Sequence, residues 1–256
     1  MWAREIVAIT DSRICKGDLL ERIELLAQSG VKAIILREKQ LEPSAYTMLA
    51  KQALAICASR GVACILHSFI EVARELKASA LHCQSSQIAH LPHLRAHFRT
   101  LGVSVHSVEE YRAAKEWVDY VIIGHIFASS CKVGVEPKGL GLLESIIALA
   151  KDSVLGSHSP DWAYFRAITT DKVAPTLKYA QNKQSTTATP RILEEKQAEC
   201  EKVDSNPTLQ GLYAIGGISL ETLPALANMP ISGVCMRQAL MQTPNPEDYI
   251  RDIMLL

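Results

Sequence analysis

Residues 101–124, LGVSVHSVEEYRAAKEWVDYVIIG, contain the pattern that decides the fold. The stretch begins and ends with a short apolar run, Leu101–Val105 and Tyr120–Gly124, and nearly continuous runs of this length are typical of strands buried on both faces in a parallel sheet. Between the runs, residues 108–117 carry apolar side chains at helical spacing, and Ser107 stands where a helix N-cap belongs. The stretch therefore predicts a strand, a helix and a second, parallel strand.

Eight apolar runs of this kind occur along the chain, each separated from the next by a longer segment with helical spacing. The runs are Ile6–Thr10, Ala33–Arg37, Ala63–His67, Ala80–Cys83, Leu101–Val105, Tyr120–Gly124, Leu212–Gly216 and Gly233–Arg237. Eightfold alternation predicts an α/β protein with a single (β/α)₈ TIM barrel. The alternative is a doubly wound dinucleotide-binding sheet, but the segment Asp11–Ile14 lacks the Gly-x-Gly-x-x-Gly loop of that fold.

One region departs from this rhythm. Residues 153–209 are rich in Ser, Thr, Asn, Gln and charged residues, whereas a barrel repeat needs only a few residues between its sixth helix and its seventh strand. We therefore expect residues 1–256 to form one barrel domain with an insertion at 153–209, which is partly polar and could be mobile. Because this connection lies at the N-terminal end of a barrel, we expect the insertion to be peripheral or an oligomer contact.

The charge balance and the cysteines narrow the class of protein. Lys plus Arg number 27, Asp plus Glu also number 27, and the pI is about 7.1, so a broad basic face for nucleic acid is not expected. Seven widely spaced cysteines with no Cys-x-x-Cys are neither a disulfide framework nor a zinc signature. No apolar stretch reaches about 18 residues, and the N-terminus lacks a signal-peptide core. We expect a cytoplasmic protein that acts on a small molecule, without membrane or nucleic-acid partners.

The C-terminal ends of the barrel strands are where an active site is expected. Polar, titratable or glycine residues follow the apolar runs at this end, and we treat them as candidate site residues. They are Arg37, Lys39, His67, His125, Lys132, Gly216, Gly217, Arg237 and Gln238. Any one of them could be a solvated strand-end residue, but their repetition at one end favours a binding site.

Two of these segments, Gly216-Gly217 and Arg237-Gln238, predict a phosphate site. Each leads into a predicted helix, the first of which begins near Ser219, and N–H groups at a helix start bind anions. Loops after the seventh and eighth strands commonly form a phosphate site in such barrels. The other interpretation is a tight turn that simply requires glycine.

His125, after the sixth run, is a candidate for proton transfer. An imidazole titrates near working pH and can both give and accept a proton. A histidine hydrogen-bonded only for structure is the other interpretation. His90, His93 and His97 share a helical spacing without a cysteine or carboxylate, so we expect an exposed helix there rather than a metal site.

Three ordered segments resemble the thiamine phosphate synthase and thiazole tautomerase superfamily. They are Arg37-Glu38-Lys39, Gly124-His125-Ile126-Phe127-x-x-x-Cys131-Lys132 and Ala214-Ile215-Gly216-Gly217-Ile218. The resemblance runs from the first strand to the last helix and is interrupted only by the insertion. It implies the TIM-barrel fold and a role in thiamine biosynthesis.

Departures from the synthase pattern favour one branch of the superfamily. The synthase resembles a magnesium enzyme, with Asn-Asp after the third strand and an aspartate after the fourth, where this chain has His67-Ser68 and the segment Gln84–Gln87. His125 in place of proline and Cys131 before Lys132 are similar to the tautomerase branch. The resemblance therefore implies a thiazole tautomerase, an isomerase that aromatises a carboxythiazole phosphate by moving a proton, with no metal or cofactor.

The resemblance also implies roles for single residues. It assigns the proton shuttle to His125, and the phosphate to Gly216, Gly217 and Gln238. Lys39 and Lys132 would face the substrate carboxylate or phosphate from opposite sides. His67 and Arg237 would line the site, and Arg37 would order either Glu38 or the ligand.

Two alternatives stay open. One is a thiamine phosphate synthase with replaced ligands, which would need Mg²⁺ and would join a pyrimidine pyrophosphate to a thiazole phosphate. The other is a non-catalytic regulator that binds thiazole or thiamine phosphates. In each case the partner is a small phosphorylated thiazole compound, and apolar outer helices together with the resemblance suggest a homodimer.

Overall fold

Eight parallel strands close into one barrel, in which each strand pairs with its neighbours in chain order and the last returns to the first. The computed structural model describes residues 4–129, 134–152 and 210–256. The predicted TIM barrel is confirmed, whereas the predicted insertion at 153–209 and the site residue Lys132 lie outside the described residues. The strands are β1 (Glu5–Ile9), β2 (Ala33–Leu36), β3 (Ala63–His67), β4 (Ala80–Cys83), β5 (Thr100–Val105), β6 (Tyr120–Gly124), β7 (Gly211–Ile215) and β8 (Gly233–Met236).

Helices follow most strands and pack on the outside of the sheet. They are α1 (Leu19–Gln28), α2 (Pro43–Ser59), α3 (Ile70–Glu75), α4 (Leu91–Leu94), α5 (Val108–Ala114), α6 (Gly139–Asp152), α7 (Gln238–Gln242) and α8 (Pro246–Leu255), with 3₁₀ segments at Ser85–His90 and Leu223–Leu226. The predicted cap Ser107 is confirmed, because its hydroxyl accepts the N–H of Glu110 at 3.2 Å. None of the helices in the described ranges combines the length and apolar character that crossing a bilayer requires.

The prediction of a helix beginning near Ser219 is wrong. After β7 the chain forms a turn and the short 3₁₀ segment Leu223–Leu226. Thr222 Oγ1 accepts the N–H of Ser219 and donates to the carbonyl of Gly217, both at 2.9 Å, so the side chain competes with helical hydrogen bonds. Pro224, which has no N–H, would also stand beyond the first turn of such a helix, where it breaks the pattern.

The inside of the barrel has its own apolar core. Its side chains include Ile9, Ile35, Ile65 and Cys235, which are the last inward apolar residues of β1, β2, β3 and β8. Because side chains alternate along a strand, the next inward residue lies two positions later. Those residues are Asp11, Arg37, His67 and Arg237. The alternation therefore places charged and polar groups at the C-terminal end of the barrel, which we call the mouth.

Tyr46 of α2 ties two strands together beneath the mouth. Its hydroxyl donates to the carbonyl of Leu36 at 2.7 Å and accepts the N–H of His67 at 3.0 Å, and the side chain is fully buried. The hydroxyl thus satisfies backbone groups at the ends of both β2 and β3.

We expect Tyr46→Phe to lower the free energy of unfolding by about 1–3 kcal/mol, because it leaves buried backbone groups without a partner. The matched control is Tyr111→Phe. Tyr111 is equally buried, but its hydroxyl bonds to no other described residue, so a change within about 0.5 kcal/mol is expected. Urea unfolding of both variants measures the difference, and equal losses would contradict the role given to the Tyr46 hydroxyl.

Candidate active site

Three arginines surround one carboxylate at the mouth, and we call Asp11, Arg13, Arg37 and Arg237 the Asp11 cluster. Arg13 donates two hydrogen bonds of 2.9 Å to Asp11, from Nε and Nη2. Nη1 of Arg237 lies 3.5 Å, and Nη1 of Arg37 3.7 Å, from Asp11 Oδ2. The structure therefore brings together two predicted binding residues around a carboxylate for which the sequence predicted no role.

The Asp11 cluster carries more positive than negative charge. Asp11 is 2% exposed, and burial raises its pKa, but the hydrogen bond from Arg13 and the charges of Arg13, Arg237 and Arg37 together lower it below the ordinary value. The carboxylate therefore stays ionised at neutral pH. Burial lowers the pKa of Arg37, and the charge of Arg237 lowers it further, but a guanidinium remains protonated. Three positive groups thus face one negative group.

Arg37 was predicted to order either Glu38 or the ligand, and the structure gives Glu38 hydrogen-bond partners other than Arg37. The carboxylate of Glu38 is fully buried and accepts hydrogen bonds from Thr10 Oγ1 (2.6 Å), Ser12 N (2.9 Å), Ser12 Oγ (2.7 Å) and Gln40 Nε2 (2.7 Å). These neutral donors stabilise the charge in place of an ion pair. The network joins the loops after β1 and β2, which carry the Asp11 cluster.

His67 lies at the end of β3, where it was predicted, and is 4% exposed. Its Nδ1 lies 2.7 Å from Ser68 Oγ. Burial, the neighbouring His82, and the charges of Lys39 and Arg37 hold the pKa of His67 well below its ordinary value. His67 is therefore a neutral hydrogen-bonding group at neutral pH.

A second buried histidine, His82 of β4, was not among the predicted site residues. Its Nδ1 lies 3.0 Å from Tyr120 Oη and its Nε2 2.8 Å from Ser104 Oγ, and its ring lies 5.4 Å from that of His67. Burial lowers the pKa of His82 to about 3. Both ring nitrogens are occupied by the protein, so His82 supports its neighbours. Its inward position on β4 was the signal that could have identified it.

Lys39, in the loop after β2, donates to Gln84 Oε1, after β4, at 2.6 Å. The residues that follow β3 and β4 offer hydroxyl, amide and imidazole groups but no carboxylate, and Gln87 Nε2 is used to bond the Ser68 carbonyl at 2.9 Å. Magnesium on a pyrophosphate requires charged oxygen ligands, so these residues do not fit it. Across the described ranges, no group of three or more His, Cys, Asp or Glu residues could hold a metal ion.

His125 is buried at 4% exposure directly after β6. The imidazole of His106 donates from Nδ1 to the Gly124 carbonyl at 2.5 Å, and the N–H of Lys138 donates to the His125 carbonyl at 2.9 Å. His125 Nε2 lies 3.4 Å from the Val135 carbonyl. In the tautomer that donates there, the lone pair lies on Nδ1. The backbone of His125 is thus fixed from two sides.

Gly216 and Gly217 turn sharply against the segment that carries His125. Their φ angles are +103° and +63°. A Cβ atom on Gly216 would lie 2.3 Å from His125 Cβ, and one on Gly217 would lie 2.3 Å from the Ala128 carbonyl oxygen. The structure thus gives a packing reason for glycine at both positions. Within the described part of the chain, the N–H groups of Gly217 and Ile218 meet no acceptor, so they remain available to an anion.

Gln238 begins α7, next to the Gly216–Gly217 turn in strand order. The helix has five residues, and no side chain caps its N-terminus. Gln238 Nε2 donates to Gln242 Oε1 at 3.0 Å. The structure therefore places His125, the glycine turn and Arg237–Gln238 at the ends of the adjacent strands β6, β7 and β8. Arg37, Lys39 and His67 lie at the ends of β2 and β3.

The chain is similar to known proteins over its first part. A family described as thiamine monophosphate synthase matches residues 6–156. The chain is 28% identical over 144 residues to "Putative thiamine-phosphate synthase 2" of Aquifex aeolicus, covering 55% of this chain and 77% of the relative. It is 32% identical over 135 residues to "Thiamine-phosphate synthase" of Shouchella clausii, covering 51% and 64%. The match to that relative therefore spans less than two thirds of its length.

Solved structures show the same fold. Thiamine phosphate pyrophosphorylase from Pyrococcus furiosus superposes with a TM-score of 0.65 at 16% identity, covering 98% of this chain and 94% of that chain. KGPDC from Streptococcus mutans superposes with a TM-score of 0.53 at 11% identity, covering 98% and 96%. At these identities the likeness establishes the barrel and leaves the chemistry to the residues of the mouth.

The contact between Gly216 and His125 predicts that Gly216→Ala disturbs the site. We expect Gly216→Ala to lower the free energy of unfolding by about 3 kcal/mol or more, because overpacking adds to the strain of a positive φ angle. Gly17→Ala is the control, since Gly17 also has a positive φ, +84°, but no atom lies within 4 Å of its added Cβ. Urea unfolding and the NMR shifts of the His125 ring measure the effect. Equal losses, with unchanged His125 shifts, would contradict this coupling.

Proposed function

Because the chain belongs to the thiamine monophosphate synthase family, we propose that it is a thiazole tautomerase of thiamine biosynthesis. It would convert a non-aromatic carboxythiazole phosphate into its aromatic isomer by proton transfer. The observation that carries this proposal is the buried His125, whose backbone is held by hydrogen bonds beside a glycine turn, in a mouth without carboxylates at the positions a synthase uses for magnesium.

A tautomerisation needs a group that takes a proton from one carbon and returns a proton to another. The C–H electrons move into the ring system, the double bonds shift, and a new C–H bond forms, so no oxidant or reductant is consumed. An imidazole performs both steps because its two protonation states are close in energy near neutral pH. His125 accepts the proton in its neutral form and delivers it from its imidazolium form.

The substrate phosphate would lie against the turn after β7. The N–H groups of Gly217 and Ile218 donate to no acceptor among the described residues, and Gln238 follows the neighbouring strand β8. Backbone N–H groups bind phosphate without a metal. Since Gly216 touches His125, a phosphate held here would set the distance between the substrate carbon and the imidazole.

The names of the relatives favour a second candidate, thiamine-phosphate synthase. That reaction joins two substrates with loss of pyrophosphate, and the resemblance associates it with Mg²⁺. His67 and Ser68 after β3, and Gln84 after β4, are poor substitutes for carboxylates around that ion. We therefore place the synthase second.

The tautomerase proposal predicts that His125→Gln lowers kcat by about 100-fold or more, because general acid–base catalysis contributes on that scale. Binding of the aromatic product should change little, since the phosphate contacts stay. The appearance of aromatic thiazole absorbance measures turnover. His97→Gln, at an exposed position, is the control and should leave turnover unchanged. Turnover by His125→Gln within tenfold of the unsubstituted protein would refute the assigned role.

The synthase candidate has a direct test. The protein is incubated with the pyrimidine pyrophosphate, the thiazole phosphate and Mg²⁺, and thiamine phosphate is measured by fluorescence after oxidation. We expect no more product than without protein, because the carboxylate ligands are missing. Formation at an enzymatic rate would replace the tautomerase by the synthase. Product binding with neither reaction would leave a non-catalytic binder.

A further inference from the structure

The excess positive charge of the Asp11 cluster has no use in the mechanism above. We propose that Arg37 and Arg237 bind the carboxylate of the substrate, on either side of Asp11, which is itself held by Arg13. This inference rests on the proposed function, because it assigns the second anionic group of the same ligand. Arg237 is then a specificity-determining residue that separates carboxylated from uncarboxylated thiazole phosphates.

The charges that face this position come from three adjacent strands. Arg237 follows β8, Asp11 and Arg13 follow β1, and Arg37 follows β2. A second carboxylate, Glu38, follows Arg37 in the chain, but its oxygens already accept four hydrogen bonds from neutral groups. Lys39, further along the same loop, adds positive charge and bonds Gln84. The sum at this side of the mouth is positive and matches an anion.

One buried atom of the Asp11 cluster lacks a hydrogen-bond acceptor. Nη1 of Arg37 is buried and has no hydrogen-bond partner among the described residues, although Asp11 Oδ2 lies 3.7 Å away. A charged N–H that loses water without gaining an acceptor is costly, so such an atom is rare in a folded protein. A ligand oxygen would supply the acceptor.

Asp11 is already committed to its neighbours. Arg13 takes both of its oxygens at 2.9 Å, which leaves Arg37 and Arg237 with long contacts of 3.7 and 3.5 Å. Asp11 therefore positions the two guanidinium groups without fully satisfying them. Two planar guanidinium forks are well suited to the two oxygens of a carboxylate.

Arg37 and Arg237 could also bind a phosphate, but the mouth offers the phosphate another position. The turn after β7 offers the N–H groups of Gly217 and Ile218 to a phosphate. The Asp11 cluster begins one strand further on, at Arg237, and continues through β1 and β2. One ligand with a phosphate at the turn would therefore extend its second anionic group toward Arg237 and Arg37.

The test compares two ligands that differ only in the carboxylate. Calorimetry measures the Kd of the aromatic carboxythiazole phosphate and of the same thiazole phosphate without the carboxylate. Arg237→Met should weaken the carboxylated ligand by about 10- to 100-fold, the scale of a charged hydrogen bond, and the uncarboxylated ligand by less than about twofold. Arg251→Met, on the exposed face of α8, is the control and should change neither Kd.

A thermal melt of each variant shows whether the fold is kept. Should Arg237→Met fail to fold, Arg237→Lys replaces it, since it keeps the charge but loses the planar fork and should weaken only the carboxylated ligand. Equal weakening of both ligands would place the phosphate at the Asp11 cluster and overturn the proposal. No preference of the unsubstituted protein for the carboxylated ligand would also overturn it.

This binding test is separate from the test of the proposed function. A carboxylate preference that depends on Arg237, together with turnover that does not depend on His125, would keep this subsite and remove the tautomerase mechanism. Turnover that depends on His125, without a carboxylate preference, would keep the tautomerase mechanism and remove this subsite.

Discussion

In a closed parallel barrel, every second side chain of each strand must point inward, and this constraint determines which residues can meet at the mouth. The inward apolar residues Ile9, Ile35, Ile65 and Cys235 fill the interior, so the residues two positions later lie above them. The strand ends therefore deliver Asp11 and the two arginines as one group, although they are far apart in the chain. A shift of one residue in any strand would turn its contribution outward, toward the helices.

The same constraint divides the mouth into regions of different character. The side formed by β8, β1 and β2 is charged, with one close ion pair between Arg13 and Asp11 and longer contacts from Arg37 and Arg237 to the same carboxylate. At the ends of β3 and β4, burial keeps the imidazoles of His67 and His82 neutral, and the positive charge there comes from Lys39 of the loop after β2. Between them, β6 and β7 present His125 and the glycine turn. The mouth therefore holds a cationic region, a region of neutral imidazoles and, between them, a histidine beside a glycine turn.

The sequence was sufficient for the barrel, because continuous apolar runs and helical spacing are local properties. It was not sufficient where contacts between distant residues determine the local conformation, the ion pairs or the burial of a side chain. The helix expected near Ser219 is replaced by a turn, since Thr222 bonds the backbone and Pro224 lacks an N–H. The ion pairs of Arg37 and the burial of His82 depend on barrel closure, and spacing alone does not reveal which carboxylate an arginine meets. The resemblance gave the family, which the comparisons confirm, but residue roles at the mouth remain proposals.

The contact between Gly216 and His125 couples the position of the turn after β7 to the position of the residue after β6. Gly216 cannot gain a side chain without displacing the backbone of His125, because an added Cβ would lie 2.3 Å from His125 Cβ. A change at the Gly216–Gly217 turn is therefore also a change in the position of His125.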